Sequence, residues 1–166
     1  MSSSEKHRLG RRAFLILPLA LAACGFTPAN APGGPVAKLH ERIRVDDPSD
    51  KNGFDFVERM EERLGRPEAP AYDLAYTITT KAIGVGYTID SEITRYNLEG
   101  VLDYSLTERA TGTRVAGGQV HSFTSYSATG STVAGLAAEE DAAYRLMRIL
   151  ADQVVARLIA TAETLP

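Results

Sequence analysis

Cys24 is the only cysteine in this sequence of 166 residues, and its position indicates which reaction its thiol undergoes. A lone cysteine cannot form a disulfide within the chain, so its thiol is a small apolar group, a nucleophile or a modification site. Cys24 follows Leu21-Ala22-Ala23 at the end of an apolar run. This pattern is typical of a bacterial lipobox, in which the thiol receives a diacylglycerol and the chain is cut before the cysteine. The spacing predicts that Cys24 is lipidated, with fatty acyl groups such as palmitate.

The segment before Cys24 has the regions of an export signal. Its first part contains four basic residues, Lys6, Arg8, Arg11 and Arg12. They are followed by a run of 11 apolar residues, Ala13 to Ala23. A membrane-spanning helix needs about 20 apolar residues, so this run is too short to span a bilayer. We interpret residues 1–23 as a lipoprotein signal peptide. The alternatives are an ordinary signal peptide with an unrelated cysteine, or a cysteine buried in the fold.

The residues around Cys24 also bear on the compartment. Gly10 to Ile16 is similar to a twin-arginine export motif, so the sequence is compatible with both Tat and Sec export. Gly25 is not the Asp that retains lipoproteins in the inner membrane of enteric bacteria, which favours the outer membrane. Pro and Gly dominate the following residues, so we interpret residues 24–36 as a lipidated N-terminus and flexible tether.

The sequence offers little else for catalysis. It contains no P-loop, nucleophile elbow, Rossmann glycine pattern or metal-binding histidine pair. His40 and His121 fall on different predicted strands, and acylation would remove the Cys24 thiol from any Cys–His pair. Glu61 and Glu62 fall on a predicted helix surface, where solvation accounts for them. We expect no enzymatic activity, no cofactor and no metal site.

Four basic residues on or beside predicted strands are the candidate ligand-binding groups. Arg42 and Arg44 share one face of the first predicted strand, Lys81 ends the second, and Arg95 precedes the third. Such cations can bind the phosphates of a lipid headgroup. The alternative is that basic residues on strand edges prevent aggregation. The net charge of −3 and the lack of a basic stripe interleaved with aromatic residues argue against a nucleic-acid partner.

Periodic patterns of apolar residues predict the elements that position these groups. They are a strand from Ala37 to Val45, a helix from Phe54 to Leu64, a strand from Ala71, a hairpin from Arg95 to about Phe123 that turns at Gly112, and a closing helix within 135–162. Ile83 to Thr94 is either an extended loop or a continuation of the sheet. Gly117 and Gly118 predict a bulge, because the alternation changes register across them.

This order, β-α-β-β-β-α, predicts the fold class. We expect a single α+β domain over residues 37–162, a two-layer sandwich in which two helices cover one face of a mainly antiparallel or mixed sheet of about four strands. The other face carries Thr, Ser, Asn and charged residues, so it can remain in contact with water.

The ordered motifs resemble a known family. The lipobox continues as CGFTP, the first helix ends in ERLGR, the hairpin contains Tyr104, Leu106 and Gly112, and the closing helix begins with AEEDAAYRLMRILADQ. Together, over nearly the whole chain, these segments resemble the LPS-assembly lipoprotein LptE family in its alphaproteobacterial form.

The resemblance implies a function as well as a fold. Members of the family are outer-membrane lipoproteins at the periplasmic face that plug the β-barrel LptD, help it assemble, and bind lipopolysaccharide during its delivery to the outer leaflet. On this reading, Arg95, Lys81, Arg42 and Arg44 are candidate lipopolysaccharide contacts. The alternative is a periplasmic lipoprotein that binds a small or lipidic ligand without a barrel partner.

Overall fold

A computed structural model describes residues 34–162 and 164–165 of the chain. The elements are α1 (Pro35–Leu39), β1 (Ile43–Val45), α2 (Lys51–Leu64), β2 (Tyr72–Tyr87), β3 (Ile93–Glu108), β4 (Arg114–Ser127) and α3 (Thr132–Thr161). The predicted signal peptide, Cys24 and most of the predicted tether lie outside the described residues. No helix within the described part of the chain is both long enough and apolar enough to cross a bilayer.

The four strands form one sheet in the order β1-β2-β3-β4. β1 and β2 are parallel and are joined through α2, whereas the β2–β3 and β3–β4 pairs are antiparallel. The long helices α2 and α3 pack against each other, and α3 packs on β3 and β4. The predicted α+β class and the sheet of four strands are therefore confirmed, with α1 as one additional short helix.

The core lies between the sheet and the helices because alternate strand residues face α2 and α3. The side chains with no exposed surface include Phe56, Met60, Leu74, Leu102, Leu106, Val120, Leu146, Leu150 and Leu158. Gly100 allows α3 to approach β3 closely, since a Cβ atom there would lie 2.9 Å from Leu146 Cδ2. The buried Thr124 hydroxyl donates a 2.8 Å hydrogen bond to the Ala142 carbonyl, which satisfies a polar group inside this layer.

Local residue chemistry sets the ends of the two long helices. Asp50 caps α2 by accepting a 2.7 Å hydrogen bond from the Gly53 amide, and Gly65 ends that helix at φ 77°. Ser131 caps α3 and accepts a 3.3 Å hydrogen bond from the Ala134 amide. The Asp50 cap explains why α2 begins at Lys51, three residues before the predicted start at Phe54.

The prediction of one strand from Ala37 to Val45 is wrong over most of its length. Residues 35–39 form α1, in which Pro35 occupies the first turn, where its missing amide proton costs no hydrogen bond. Glu41 adopts a φ of 58°, which breaks the extended backbone, and only Ile43–Val45 pairs with β2. Pro35, which we expected in the tether, is therefore helical.

The predicted bulge at Gly117 and Gly118 is also wrong. These glycines pair in regular register with Ser105 and Tyr104, and the irregularity lies at Val115, between the pairs of Leu106 with Ala116 and Thr107 with Arg114. The Arg114 guanidinium lies over Gly117, in the space that a Cβ would take.

The ambiguous segment Ile83 to Thr94 continues the sheet as far as Tyr87 and then turns into β3. Register shifts between Gly84 and Tyr87 mark an irregular stretch at this end of β2.

Candidate functional site

One face of the sheet carries no packed helix among the described elements and forms a broad polar surface. We call it the open face; its side chains come from the odd-numbered positions of β2, β3 and β4. They are Thr77, Thr79 and Lys81 of β2; Arg95, Asn97, Glu99, Val101, Asp103 and Ser105 of β3; and Gln119, His121, Phe123, Ser125 and Ser127 of β4. This surface agrees with the expectation of an uncovered sheet face rich in Thr, Ser, Asn and charged residues.

Hydrogen bonds between neighbouring strands order the side chains of the open face. Gln119 Nε2 donates to Asp103 Oδ1 at 2.9 Å, and Ser125 Oγ donates to Asn97 Oδ1 at 2.6 Å. Groups held in this way present fixed donors and acceptors at the surface, which favours recognition of another polar surface or of a sugar-rich ligand.

A shallow depression of about 470 Å³ surrounds Arg95 at the end of the open face near the β2–β3 turn. Its lining is Val85, Gly86, Thr94, Arg95, Asn97, Ser125, Ser127 and Thr129. Gly86 leaves this space free, because a Cβ there would lie 2.7 Å from Thr94 Oγ1 and 3.2 Å from Arg95 Cβ. The Ser127 and Thr129 hydroxyls lie 2.7 Å apart on its rim.

The chemistry of this depression suits an anion that also carries hydroxyl groups. Within the described part of the chain, Arg95 forms no salt bridge and no side-chain hydrogen bond, so its five N–H donors remain available. A guanidinium binds phosphate oxygens in a bidentate manner, and hydroxyl and amide groups beside it can bind phosphate or sugar oxygens. The sequence singled out Arg95, but it missed Asn97, Ser125 and Ser127, whose only signal was a polar alternation along two strands.

Lys81 shares the open face with Arg95 but does not contact it. Lys81 pairs with Glu99 on β3, and Glu99 is four residues from Arg95, a separation of about 14 Å along the strand. Its ammonium group has no hydrogen bond or ion pair with any other described residue. Lys81 can therefore bind a second anionic group of a large ligand, or a residue of a partner.

Arg42 and Arg44 lie at the other end of the sheet, so the four basic candidates do not form one cluster. Arg44 pairs in register with Asp73, whereas Arg95 pairs with Gly86, about 40 Å further along β2. Arg44 is 3.8 Å from Asp47, and the Arg42 guanidinium lies 5.6 Å from the centre of the Tyr72 ring. These local contacts account for the placement of both arginine side chains, so neither requires a ligand.

The two histidines are also separated. His40 follows α1 and lies 3.6 Å from Glu41, whereas His121 pairs with Val101 in the middle of the open face. No cluster of three or more potential metal-ligating side chains occurs within residues 34–162.

The strongest charge cluster lies between α2 and α3 and stabilises their packing. Arg59 donates to both carboxylate oxygens of Asp152, at 3.1 and 2.9 Å, and to Glu62 at 2.8 Å. The hydrogen bonds from Arg59 and then Arg148 lower the pKa of Glu62. Because these charges satisfy one another, this cluster is structural and leaves the open face as the candidate site.

One comparison with known proteins identifies a family. A family model described as "LptE: Lipopolysaccharide-assembly" matches residues 41–158. No curated protein sequence is significantly similar to this chain.

Solved structures of bacterial lipoproteins share the fold. A proposed lipoprotein from Caulobacter crescentus CB15 is 19% identical, with a TM-score of 0.68 over 79% of this chain and 97% of that one. Rare lipoprotein B from Shewanella oneidensis is 12% identical, with a TM-score of 0.58 over 74% of this chain and 96% of that one. An uncharacterised lipoprotein B from Nitrosomonas europaea is 13% identical, with a TM-score of 0.56 over 75% and 85% of the two chains. At these identities the likeness demonstrates a common fold.

Proposed function

The chain belongs to the LptE lipopolysaccharide-assembly family, and from that premise we propose that it is a lipid-anchored plug of an LptD-like outer-membrane β-barrel. In this role it helps the barrel assemble, and it binds lipopolysaccharide during delivery to the outer leaflet. Cys24 carries the lipid that holds the domain at the periplasmic face of the outer membrane. The role consists of binding and positioning, and no covalent bond of the ligand is made or broken.

The open face is the observation that supports a barrel partner. It spans three strands, its side chains are mostly hydroxyls, amides and charges, and two of its cross-strand pairs are already ordered by hydrogen bonds. The interior of a large outer-membrane barrel is polar, so a polar sheet face complements it. Burying this face against a polar wall replaces water with matched donors and acceptors.

The depression around Arg95 supports lipopolysaccharide as the ligand. Lipopolysaccharide combines phosphate groups with sugar hydroxyls, and the depression combines a guanidinium with hydroxyl and amide side chains. We propose that Arg95 binds a phosphate and that Lys81 binds a second anionic group about 14 Å away. Arg42 and Arg44 are not part of the binding site in this proposal, because their local partners at the other end of the sheet already engage them.

Affinity purification of the tagged chain from detergent-solubilised outer membranes tests the proposal. We expect a large β-barrel to co-purify in a fixed ratio with the wild-type chain. Recovery of the chain without a barrel would contradict the plug, and would leave a lipoprotein that binds a small or lipidic ligand as the better account.

The variant Cys24→Ser tests the anchor separately. We expect it to lose lipid labelling with radioactive palmitate and to shift from the membrane pellet towards the soluble periplasmic fraction. Unchanged labelling of Cys24→Ser would show that the lipid is attached elsewhere, whatever the barrel result.

A further inference from the structure

The two edges of the sheet differ in how far other elements cover their backbone groups. In an antiparallel sheet the N–H and C=O of one residue point to the same side, and the side alternates along the strand. On β2 the Leu74 carbonyl accepts from the Asp46 amide, on the side away from β3. The even-numbered residues that follow on β2 therefore direct their backbone groups to the outer edge.

The β4 edge is occupied by side chains of α3. Arg157 Nη1 donates to the Gln119 carbonyl at 2.7 Å, and Gln153 Nε2 donates to the His121 carbonyl at 3.3 Å. Arg145 Nη2 lies 3.5 Å from the Ser125 carbonyl. These contacts block the approach of another strand, which is a usual way to protect a sheet edge.

The β2 edge is protected at both ends but not between them. β1 pairs with β2 only as far as Leu74, and Asp46, Asp47 and Asp50 lie close to Tyr76, where burial and then the Asp50 charge raise the pKa of the phenol. At the other end, the Tyr87 hydroxyl donates to the Gly84 carbonyl at 3.0 Å, and the register shifts disturb the strand.

We call the stretch between these two ends the open edge; it consists of Ile78, Thr80 and Ala82. The backbone N–H and C=O groups of these residues have no hydrogen-bond partner on the outer side among the described residues. Pairing with β3 continues without interruption through all of these positions. The open edge is therefore regular, bounded and ready to pair.

The side chains flanking the open edge define what it would accept. On the open face, Lys81 is exposed and forms no ion pair with any described residue, although Glu99 lies opposite it on β3, so an acidic side chain on an added strand would lie on its other, unoccupied side. On the helix side, a pocket of about 290 Å³ lies beside Thr80; Leu98, Leu136 and Ala143 form its apolar part, and Lys51, Asn52, Glu139 and Glu140 complete its lining. That pocket suits an apolar side chain.

We propose that the open edge pairs with one extended segment, about five residues long, of a partner protein in the outer membrane. The segment carries an acidic residue towards Lys81 and an apolar residue towards the Thr80 pocket. Backbone hydrogen bonds supply affinity and the alternate side chains supply specificity, as in other cases of strand addition. This inference rests on the proposed function for the outer-membrane location and goes beyond it, because it assigns the β2 edge rather than the Arg95 depression and gives Lys81 the carboxylate of the segment as its anionic partner.

Residue-resolved hydrogen–deuterium exchange tests the proposal on the full chain. It compares outer-membrane vesicles that contain the chain with the chain purified alone in detergent. We expect the amides of Ile78, Thr80 and Ala82 to exchange at least about tenfold more slowly in vesicles, the effect of one added hydrogen bond each. The amides of Thr79 and Lys81 already pair with β3, so they should exchange equally slowly in both samples.

Two variants make the test specific. Thr80→Pro removes one outward amide at an edge position that tolerates proline, and Thr80→Ala is the matched control that keeps the amide. We expect Thr80→Pro, but not Thr80→Ala, to abolish the protection of Ile78 and Ala82 in vesicles. If Thr80→Pro does not fold, Lys81→Glu serves instead, and we expect it to reduce the protection at least severalfold.

Equal exchange of the open-edge amides in vesicles and in the purified chain would overturn the proposal. Protection that appears in the purified chain and rises with its concentration would also overturn it, because the partner would then be a second copy. Recovery of a barrel with an unprotected edge would contradict this inference alone. Protection without a co-purified barrel would contradict the proposed function alone.

Discussion

Arg95 is the side chain on which ligand binding should depend most strongly. Its guanidinium has no protein partner among the described residues, and hydroxyls and an amide surround it. A charged hydrogen bond contributes about 1.5–3 kcal/mol, so we expect Arg95→Ala to weaken lipopolysaccharide binding by about tenfold or more. Displacement of a fluorescent lipopolysaccharide from the purified chain measures this effect.

Two further variants separate charge from position in that experiment. Arg44→Ala removes the same charge at the other end of the sheet, where the guanidinium already pairs with Asp47, and should bind normally. Arg95→Lys keeps the charge but loses the bidentate geometry, so its affinity should be intermediate. Equal weakening by Arg44→Ala and Arg95→Ala would show that only net charge matters.

Glu62 should contribute to the acid sensitivity of the fold. The hydrogen bonds from Arg59, and then from Arg148, lower its pKa in the folded state. A carboxyl group with a lowered folded pKa stabilises the fold above its unfolded pKa, and this contribution is lost as the pH falls through the folded value. We therefore expect the melting temperature to fall less between neutral and acid pH in Glu62→Gln than in the wild type.

The matched control for this pH series is Glu61→Gln. Glu61 pairs with the exposed Arg66 at the end of α2 and takes no part in the contacts between α2 and α3. Its melting curve should follow the wild type through the same pH range. Parallel curves for Glu62→Gln and the wild type would show that the Glu62 contacts do not couple to folding.

At the scale of elements, the N-cap of α2 should contribute measurably to stability. Asp50 accepts a 2.7 Å hydrogen bond from the Gly53 amide at the start of a helix that packs against α3. Loss of such a cap costs about 1 kcal/mol, so we expect Asp50→Ala to lower the free energy of unfolding by about that amount. Urea unfolding followed by circular dichroism measures it.

Asp47→Ala is the control for the cap. Asp47 lies in the same acidic loop, but its one ion pair, with Arg44 at 3.8 Å, is exposed to water. Exposed ion pairs contribute little, so the loss of Asp47 should change stability by less than about 0.5 kcal/mol. If Asp47→Ala and Asp50→Ala were equally destabilising, the effect would come from the charge of the loop rather than from the cap.

The elements that the sequence predicted correctly are those with a long, regular pattern. Alternation predicted β2 and the β3–β4 hairpin, and the apolar stripe predicted α3, because each of these buries one face in the core. α1 escaped prediction because a helix of five residues depends on tertiary contacts. Leu39 is completely buried, and Lys38 Nζ donates to the Ala162 carbonyl at the other end of the chain.

The candidate site was predictable only in part, because tertiary contacts complete it. The polar character of the open face followed from alternation, and Arg95 stood out as a basic residue just before a predicted strand. The depression around Arg95 depends on Ser125 and Ser127 of β4. The sequence predicted that β3 and β4 pair, but not their register, which shifts at Val115. The separation of Arg44 from Arg95 likewise follows from the register of the whole sheet.

At the scale of the molecule, the fold divides its surfaces between distinct tasks. One sheet face builds the core with α2 and α3, whereas the open face remains polar and accessible. The β4 edge is covered by α3, and the β2 edge contains one regular stretch with which no described residue pairs. A plug needs this division, because it must be stable by itself and still present broad polar contacts to a surrounding wall.

The central claim is that the open face lies against a barrel wall, and photo-crosslinking in living cells tests it most directly. A benzophenone amino acid replaces Thr79 or Gln119, two exposed residues of the open face, and the tagged chain is purified after irradiation. The account predicts a covalent adduct with one outer-membrane β-barrel from both positions, absent without irradiation. Recovery of the correctly localised chain with no barrel adduct from either position would contradict it.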